Sequence, residues 1–260
     1  MRKKYFGKIV VLVELFLLWE VGSLLISKAC FPTPLVALKS LVELVISGKI
    51  LPHMIDSSKR ILLGILWGVI FSLPVGLLLG YFAQINKWFG GLFDFLYTIP
   101  KVVFLPIIIV LMGIGDLPKI FLVSLVLFFQ QAVVIRDAAK SISPELTRSI
   151  RIWGANGWQI MRHLVIPGCL PELMTSLRMA LGTAIALLFI TENFATVTGL
   201  GYFITNSMDQ RNYEDMYAGI IVLAVLGIFF YHLIDVLEKR ICYWKVLEQE
   251  ETTTLDGWEG

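Results

Sequence analysis

The sequence predicts an all-α integral membrane protein with about six transmembrane helices, and three observations carry that prediction. Mean hydropathy over the 260 residues is +0.78, and 57% of them are hydrophobic. Only 16% are charged, where a soluble domain usually carries about 25%. The charges also cluster, leaving apolar runs that reach or approach the roughly 20 residues a helix needs to cross the hydrocarbon core.

The first apolar run, about 9–27, follows Arg2, Lys3 and Lys4. No small-residue cleavage site comes after it, so it reads as an anchor that stays in place. Pro32 and Pro34 mark the exit from this span, and 28–60 reads as a partly amphipathic segment at the outer surface. Further spans are expected at about 61–82, 92–114, 118–136, 170–195 and 217–237. The second span holds Gly64, Gly68, Gly76 and Gly80. Glycines four apart let helix backbones approach closely in lipid, although chance produces the same spacing in a Gly-rich membrane chain. Pro100 and Pro106 break the third span, whose freed carbonyls must be satisfied by protein or a wet cavity. The tail from Leu247 is acidic and poor in apolar residues, which predicts disorder. Three regions follow: an anchor and outer segment at 1–52, a transmembrane core at 53–240 and a cytoplasmic tail at 241–260.

Lys and Arg in the connections set the orientation. With both termini cytoplasmic, 13 of the 22 basic residues fall inside and 7 outside, Lys101 and Arg178 being within spans.

Composition also excludes function classes. A net charge of +2 without a basic patch interleaved with aromatics gives no footprint for nucleic acid. Cys30, Cys169 and Cys242 are odd in number and widely spaced; with no metal-type pairing they read as packing residues. His53, His163 and His232 are scattered without metal-like spacing, so no catalytic residue and no metal ligand is assigned. No charged or carbonyl-rich filter ring suggests an ion channel. The absence of a useful internal repeat weighs against secondary transporters built from inverted repeats.

Residues 141–168, SISPELTRSIRIWGANGWQIMRHLVIPG, form a long connection that is neither a span nor low-complexity. Ser143, Pro144 and Glu145 make a helix start: a capping side chain, a proline in the first turn and an acid at the positive helix end. Leu146, Ile150 and Trp153 then share one apolar face, and Gly154 can close the helix. A second short helix is expected from Gly157 to Val165, with Pro167 separating it from the next span. Two readings of the apolar face stay open on composition: a helix lying on the lipid interface, favoured by Arg148, Arg151 and Arg162, or docking into the groove of another protein.

Here the sequence resembles a known family. Gly154-Ala155, Trp158-Gln159-Ile160 and Val165-Ile166-Pro167 are similar to the cytoplasmic signature loop of type I ABC importer permeases, roughly E-A-A-x-x-x-G-x9-I-x-L-P. The similarity continues through Leu177-Arg178-Met179-Ala180-Leu181-Gly182, Glu192-Asn193 and Thr198-Gly199-Leu200-Gly201-Tyr202. Upstream it takes in Ile99-Pro100, Leu105-Pro106 and Gly113-Ile114-Gly115. It covers about 53–240 and resembles the branch that moves nitrate, taurine, aliphatic sulfonates and some thiamine-precursor or riboflavin-type solutes. Arg148-Ser149-Ile150 depart from it, standing where the family has Glu-Ala-Ala.

The resemblance implies a type I permease fold in the inner membrane of a prokaryote, with a coupling helix between the fourth and fifth spans. A small solute, such as one of these anions, would be imported by alternating access. Its partners would be two cytoplasmic ATP-binding subunits, a second permease copy as a homodimer and an extracytoplasmic solute-binding protein. No cofactor is expected on this chain, which has no phosphate-binding G-x-x-x-x-G-K-[ST] loop; ATP and Mg would be used by the partner. Leu146, Arg148, Ser149, Ile150, Trp153, Gly154, Ala155, Trp158 and Pro167 would contact the ATPase. Ionisable residues within spans are costly and often functional, which makes Lys101, with Glu192 and Asn193, the pathway candidates; Asp94 and Asp116 are further ones that could lie near opposite ends of their span. Lys101 could equally snorkel or pair with an acid. The nearer alternative is the membrane component of another ABC importer branch, of the vitamin or energy-coupling type.

Overall fold

The structure, a computed structural model, describes residues 2–26 and 30–244; the acidic tail expected from Leu247 lies outside these. The described residues are helical, without strands, and fall into two compact units. Among the described residues, four helices are long and apolar enough to cross a membrane: α3 (Leu51–Tyr81), α6 (Leu117–Ser141), the helix Gly157–Glu192 and α11 (Tyr213–Ile241). A bent pair passes the same test together: α4 (Ala83–Thr98) and the segment Lys101–Met112, which ends in α5 (Leu105–Met112), turn by 78° at the break between them. The anchor expected at about 9–27 lies in α1 (Arg2–Ile26).

The first unit comprises 1–58 and 189–226. Within it α2 (Pro34–Ile46) starts at a proline and buries Pro34, Ala37, Ser40 and Leu44. The Ser40 hydroxyl donates to Asp215 at 2.6 Å, and the Trp19 indole donates to the Pro32 carbonyl at 3.0 Å. Leu35, Leu38, Val42, Val45 and Ile46 of α2 stay exposed, an apolar stripe beside the exposed Lys39–Glu43 pair.

The second unit comprises 59–188 and 227–260. Its seam is the contact of α3 with α6. A Cβ placed on Gly64 would lie 2.6 Å from Val123, on Gly68 2.8 Å from Leu127, on Gly76 2.7 Å from Ile135 and on Gly80 2.6 Å from Ala139. Each pair has the same sequence offset, so the two helices run parallel. The glycine spacing is therefore a packing device: small residues let backbones close to carbonyl contact where no hydrophobic drive exists between helices. Parallel spans require one crossing between them, and the bent pair supplies it. Asp94 of α4 meets Arg136 near the end of α6, and Leu105 and Ile108 of α5 pack on Leu122 near its start. α4 thus meets the end of α6 and α5 its start, with the 78° turn between them.

A second apolar cluster joins Leu77 of α3, Ile135, Ala138 and Ala139 of α6, and Ile160, Val165, Cys169 and Leu173. Cys169 and Cys242 are buried packing residues, whereas Cys30 is exposed. The expected separation at Pro167 is not found. Residues 157–192 form one helix of 36 residues, made of α8 (Gly157–Ile160), a π turn over Met161–Val165 and α9 (Ile166–Glu192). The wider π turn, closed by the Ile166 N–H on the Met161 carbonyl, relieves the crowding that a proline imposes on the preceding turn. Pro167 is absorbed there without a break.

Candidate functional site

Between α6 and α8 stands α7 (Pro144–Ile152), and its ends are built by local chemistry. The Ser143 side chain accepts from the Glu145 N–H at 3.1 Å, with Pro144 in the first turn, where no donor is needed. At the other end the Gly154 N–H donates to the Arg151 carbonyl at 3.0 Å and the Ala155 N–H to the Ile150 carbonyl at 3.3 Å. This pair of bonds is the Schellman closure, which needs a left-handed residue; Gly154 supplies it at φ +86°. A Cβ there would touch nothing within 4 Å, so conformation, not space, demands glycine. Asn156 then caps α8 through a reciprocal bond pair with Gln159, at 2.9 and 2.8 Å.

Sequence reasoning placed Leu146, Ile150 and Trp153 on one face, and the structure divides them. Ile150 and Ala155 turn inward against the cluster holding Ile160 and Val165. Leu146, Trp153 and Trp158 point outward at 54%, 91% and 68% exposure. Ile152, 85% exposed, belongs with this outer group although the sequence reading passed over it; its place beside Trp153 in the last turn was the available signal. Arg148 and Ser149 are exposed, and Pro167 is half-buried in the helix beyond. The element is fastened to its own core by one apolar face and offers a second, near Arg148 and Arg151, that the described residues leave exposed.

The pathway candidates are occupied differently. Lys101, 8% exposed, turns its ammonium onto the Leu96 and Tyr97 carbonyls at the end of α4 and lies 4.5 Å from the Phe129 ring centroid. A cation at a helix C-terminus meets the negative end of the dipole, so Lys101 holds the break at Pro100 together. Glu192, fully buried, accepts from the Ser57 hydroxyl at 2.8 and 2.9 Å and from the Gly201 N–H at 2.8 Å. Ser57 in turn accepts the Leu200 N–H at 2.8 Å, and His53 Nδ1 accepts the Gly199 N–H at 3.2 Å. Three side chains thus take the leading N–H groups of α10 (Leu200–Asp209). Gly201 is required by closeness: a Cβ would lie 2.8 Å from the Phe189 carbonyl oxygen. Exposed Asn193 accepts from Thr205 at 2.7 Å. Ser57 and His53 carry no sequence signal that pairs them with residues 199–201.

Two further ion-pair groups stand in the second unit. Asp116 accepts from Arg60 at 2.7 and 2.8 Å, and Arg136 bridges Asp94 and Asp137 at 2.6 and 2.9 Å. Burial alone would push the Asp116 carboxyl up, but the hydrogen bonds and charges of Arg60 and Lys59 outweigh it and hold it below the usual carboxylate range.

These features define a class: a multi-span helical membrane protein with a helical element standing on the connection that leads into one of its spans. The chain belongs to the family described as binding-protein-dependent transport system inner membrane component, which matches residues 64–243. It is 27% identical to the taurine transport system permease protein of Escherichia coli K12, covering 92% of this chain and 88% of that protein. It is 26% identical to a putative aliphatic sulfonates transport permease protein of Bacillus subtilis 168, covering 88% and 83%. Among solved structures, the fold is similar to a chain of a bacterial alginate ABC transporter crystallised in complex with an alginate pentasaccharide-bound periplasmic protein. That match has a TM-score of 0.65 at 15% identity, covering 92% of this chain and 94% of the other. The chain is therefore a transport component of the ABC importer permease type and not itself an enzyme.

Proposed function

We propose that this permease imports a small organic anion of the sulfonate class across the cytoplasmic membrane, with residues 143–160 as the contact for a separate ATP-binding subunit. The observation that carries the docking reading is the divided apolar surface of this element. Ile150, Ala155 and Ile160 tie it to the chain's own core, while Leu146, Ile152, Trp153 and Trp158 remain uncovered. A docking helix needs both properties, a rigid foot and an open apolar face with aromatic anchors. Relatives named for taurine and aliphatic sulfonates support the substrate class. The excess of Lys and Arg on one side supports cytoplasmic termini and a cytoplasmic 143–160. ATP and Mg belong to the partner, two copies of which serve a permease homodimer, and a solute-binding protein delivers the solute from outside.

In this reading ATP-driven closure of the partner moves the element, and the continuous helix 157–192 carries the motion into the membrane as a rigid lever. Lys101 and Glu192 would serve transport by holding backbone breaks, each within its own unit, and Asn193 by its bond to the Thr205 side chain. The direct test is Gly154→Asp. Losing the left-handed closure and placing a carboxylate at an apolar contact should release the ATP-binding subunit in detergent co-purification and abolish taurine uptake, with the chain still in the membrane fraction. Retention of the ATP-binding subunit at wild-type stoichiometry with normal uptake would remove this element as the coupling contact.

A further inference from the structure

Resting on the docking reading, we propose that Arg178 locks α9 to α11, so that the two are driven as one body when the docking element moves. Arg178 is a positioning residue in this account and touches no solute. Its guanidinium donates to Asp235 at 3.1 Å and to Glu238 of the next turn of α11. Lys239 donates to the second oxygen of Asp235 at 2.7 Å, and the Tyr231 ring lies 5.8 Å from the guanidinium carbon. The cluster is electroneutral, with two cations and two carboxylates between two membrane-spanning helices. Higher up, a Cβ on Gly227 would lie 2.9 Å from Ile185, so the helices run antiparallel in contact at two levels.

The opposite side of α9 is held in another way. Toward α6 it offers Cys169 and Leu173 to an apolar cluster and two neutral bonds, Ser176 to the Gln131 side chain and the Cys169 thiol to the Ile135 carbonyl at 3.8 Å. The Gln131 Nε2, also buried, has no hydrogen-bond partner. Apolar packing with one incompletely satisfied polar pair can repack after a small slide. An Arg fork shared by two acids cannot, because sliding by a turn would break both of its charge-assisted hydrogen bonds at once. Motion delivered at 143–160 is therefore expected to shear α9 against α6 and to carry residues 227–241 with α9.

The test uses the full permease–ATPase complex in detergent, with spin labels on cysteines introduced at exposed Arg162 and Arg240 in a background lacking the native cysteines. The wild-type label distance is expected to be the same without nucleotide and with ATP plus vanadate. In Arg178→Gln it should match wild type without nucleotide and shift and broaden with ATP plus vanadate, the ATP-binding subunit remaining bound. Asp235→Asn provides the same reading if Arg178→Gln fails to assemble, and the swap Arg178→Glu with Glu238→Arg should restore one distance. A wild-type distance that changes with nucleotide would overturn the proposal, as would unchanged distances in both variants. Release of the ATP-binding subunit by Gly154→Asp tests docking separately, so failure of the lock and failure of docking are told apart.

Discussion

The α3–α6 seam and the face of α7 and α8 are both apolar surfaces of the second unit, yet one is closed and the other open. Along the seam, Gly64, Gly68, Gly76 and Gly80 bring two backbones together until no side chain fits between them. On the element at 143–160, Trp153 and Ile152 stand almost fully exposed on a helix whose inner face is already anchored. A closed apolar contact in a membrane chain defines the fold. An open one on a rigid, capped element outside the spans calls for a partner.

The strongest way to break this comparison is to crowd the closed surface. Gly80→Leu would drive a side chain against the Ala139 Cβ and the Arg136 carbonyl oxygen, both 2.6 Å from the new Cβ. Neither atom can swing away, so the loss should reach or pass the upper end of the about 1–3 kcal/mol typical of overpacking. The readout is the thermal midpoint of the purified chain and its yield. Gly182→Ala is the matched control: nothing lies within 4 Å of its Cβ position, and the midpoint should hold or rise.

A closed polar contact should cost somewhat less. Glu192→Ala leaves the Gly201 N–H and the Ser57 hydroxyl without their buried acceptor, a loss of about 1–3 kcal/mol read as a lower midpoint with faster proteolysis at 193–199. A wild-type midpoint would mean that α10 is held by other contacts. Trp153→Ala should leave stability within about 0.5 kcal/mol, as for an exposed site, while weakening capture of the ATP-binding subunit. Loss of stability here would mean that the open face is covered by the chain itself.

The smallest effect concerns pH. Because the Asp116 carboxyl is held below its ordinary value, its pairing with Arg60 stabilises the fold above the unfolded carboxylate value of about 3.9. That contribution is lost as pH falls through the lower folded value. Asp116→Asn should therefore flatten the acid limb of a midpoint-against-pH curve and leave a small, nearly constant deficit above it. An unchanged acid limb would show that the pair contributes little.

Much of this was legible before any coordinates, because the controlling physics is local or periodic. Apolar runs pointed to an all-helical membrane chain, four-residue glycine spacing to a close helix contact without its partner, and Ser143, Pro144 and Gly154 to both ends of α7. What escaped depends on contacts made across the chain or on a subtle change of helix register. Ile150 shares its periodic face with Leu146 and Trp153, and only the neighbouring Ile160 and Val165 turn it inward. Pro167 reads as a breaker until the π turn before it is seen. The cation at Lys101 suggested a solute site, but its ammonium is taken by the helix end a few residues back. Ser57 and His53 lie more than a hundred residues from the N–H groups they receive, a pairing no local pattern encodes.

The claim that the open face is a protein-docking surface is tested most directly by photocrosslinking in assembled membranes. Benzoylphenylalanine would replace Trp153, Ile152 or, as an inward-facing comparison, Ile150. The account predicts that positions 153 and 152 crosslink to the ATP-binding subunit in high yield and that position 150 gives only intrachain products. Crosslinks from 153 and 152 to lipid alone, with none to the ATP-binding subunit, would contradict it and make this element a membrane-surface anchor.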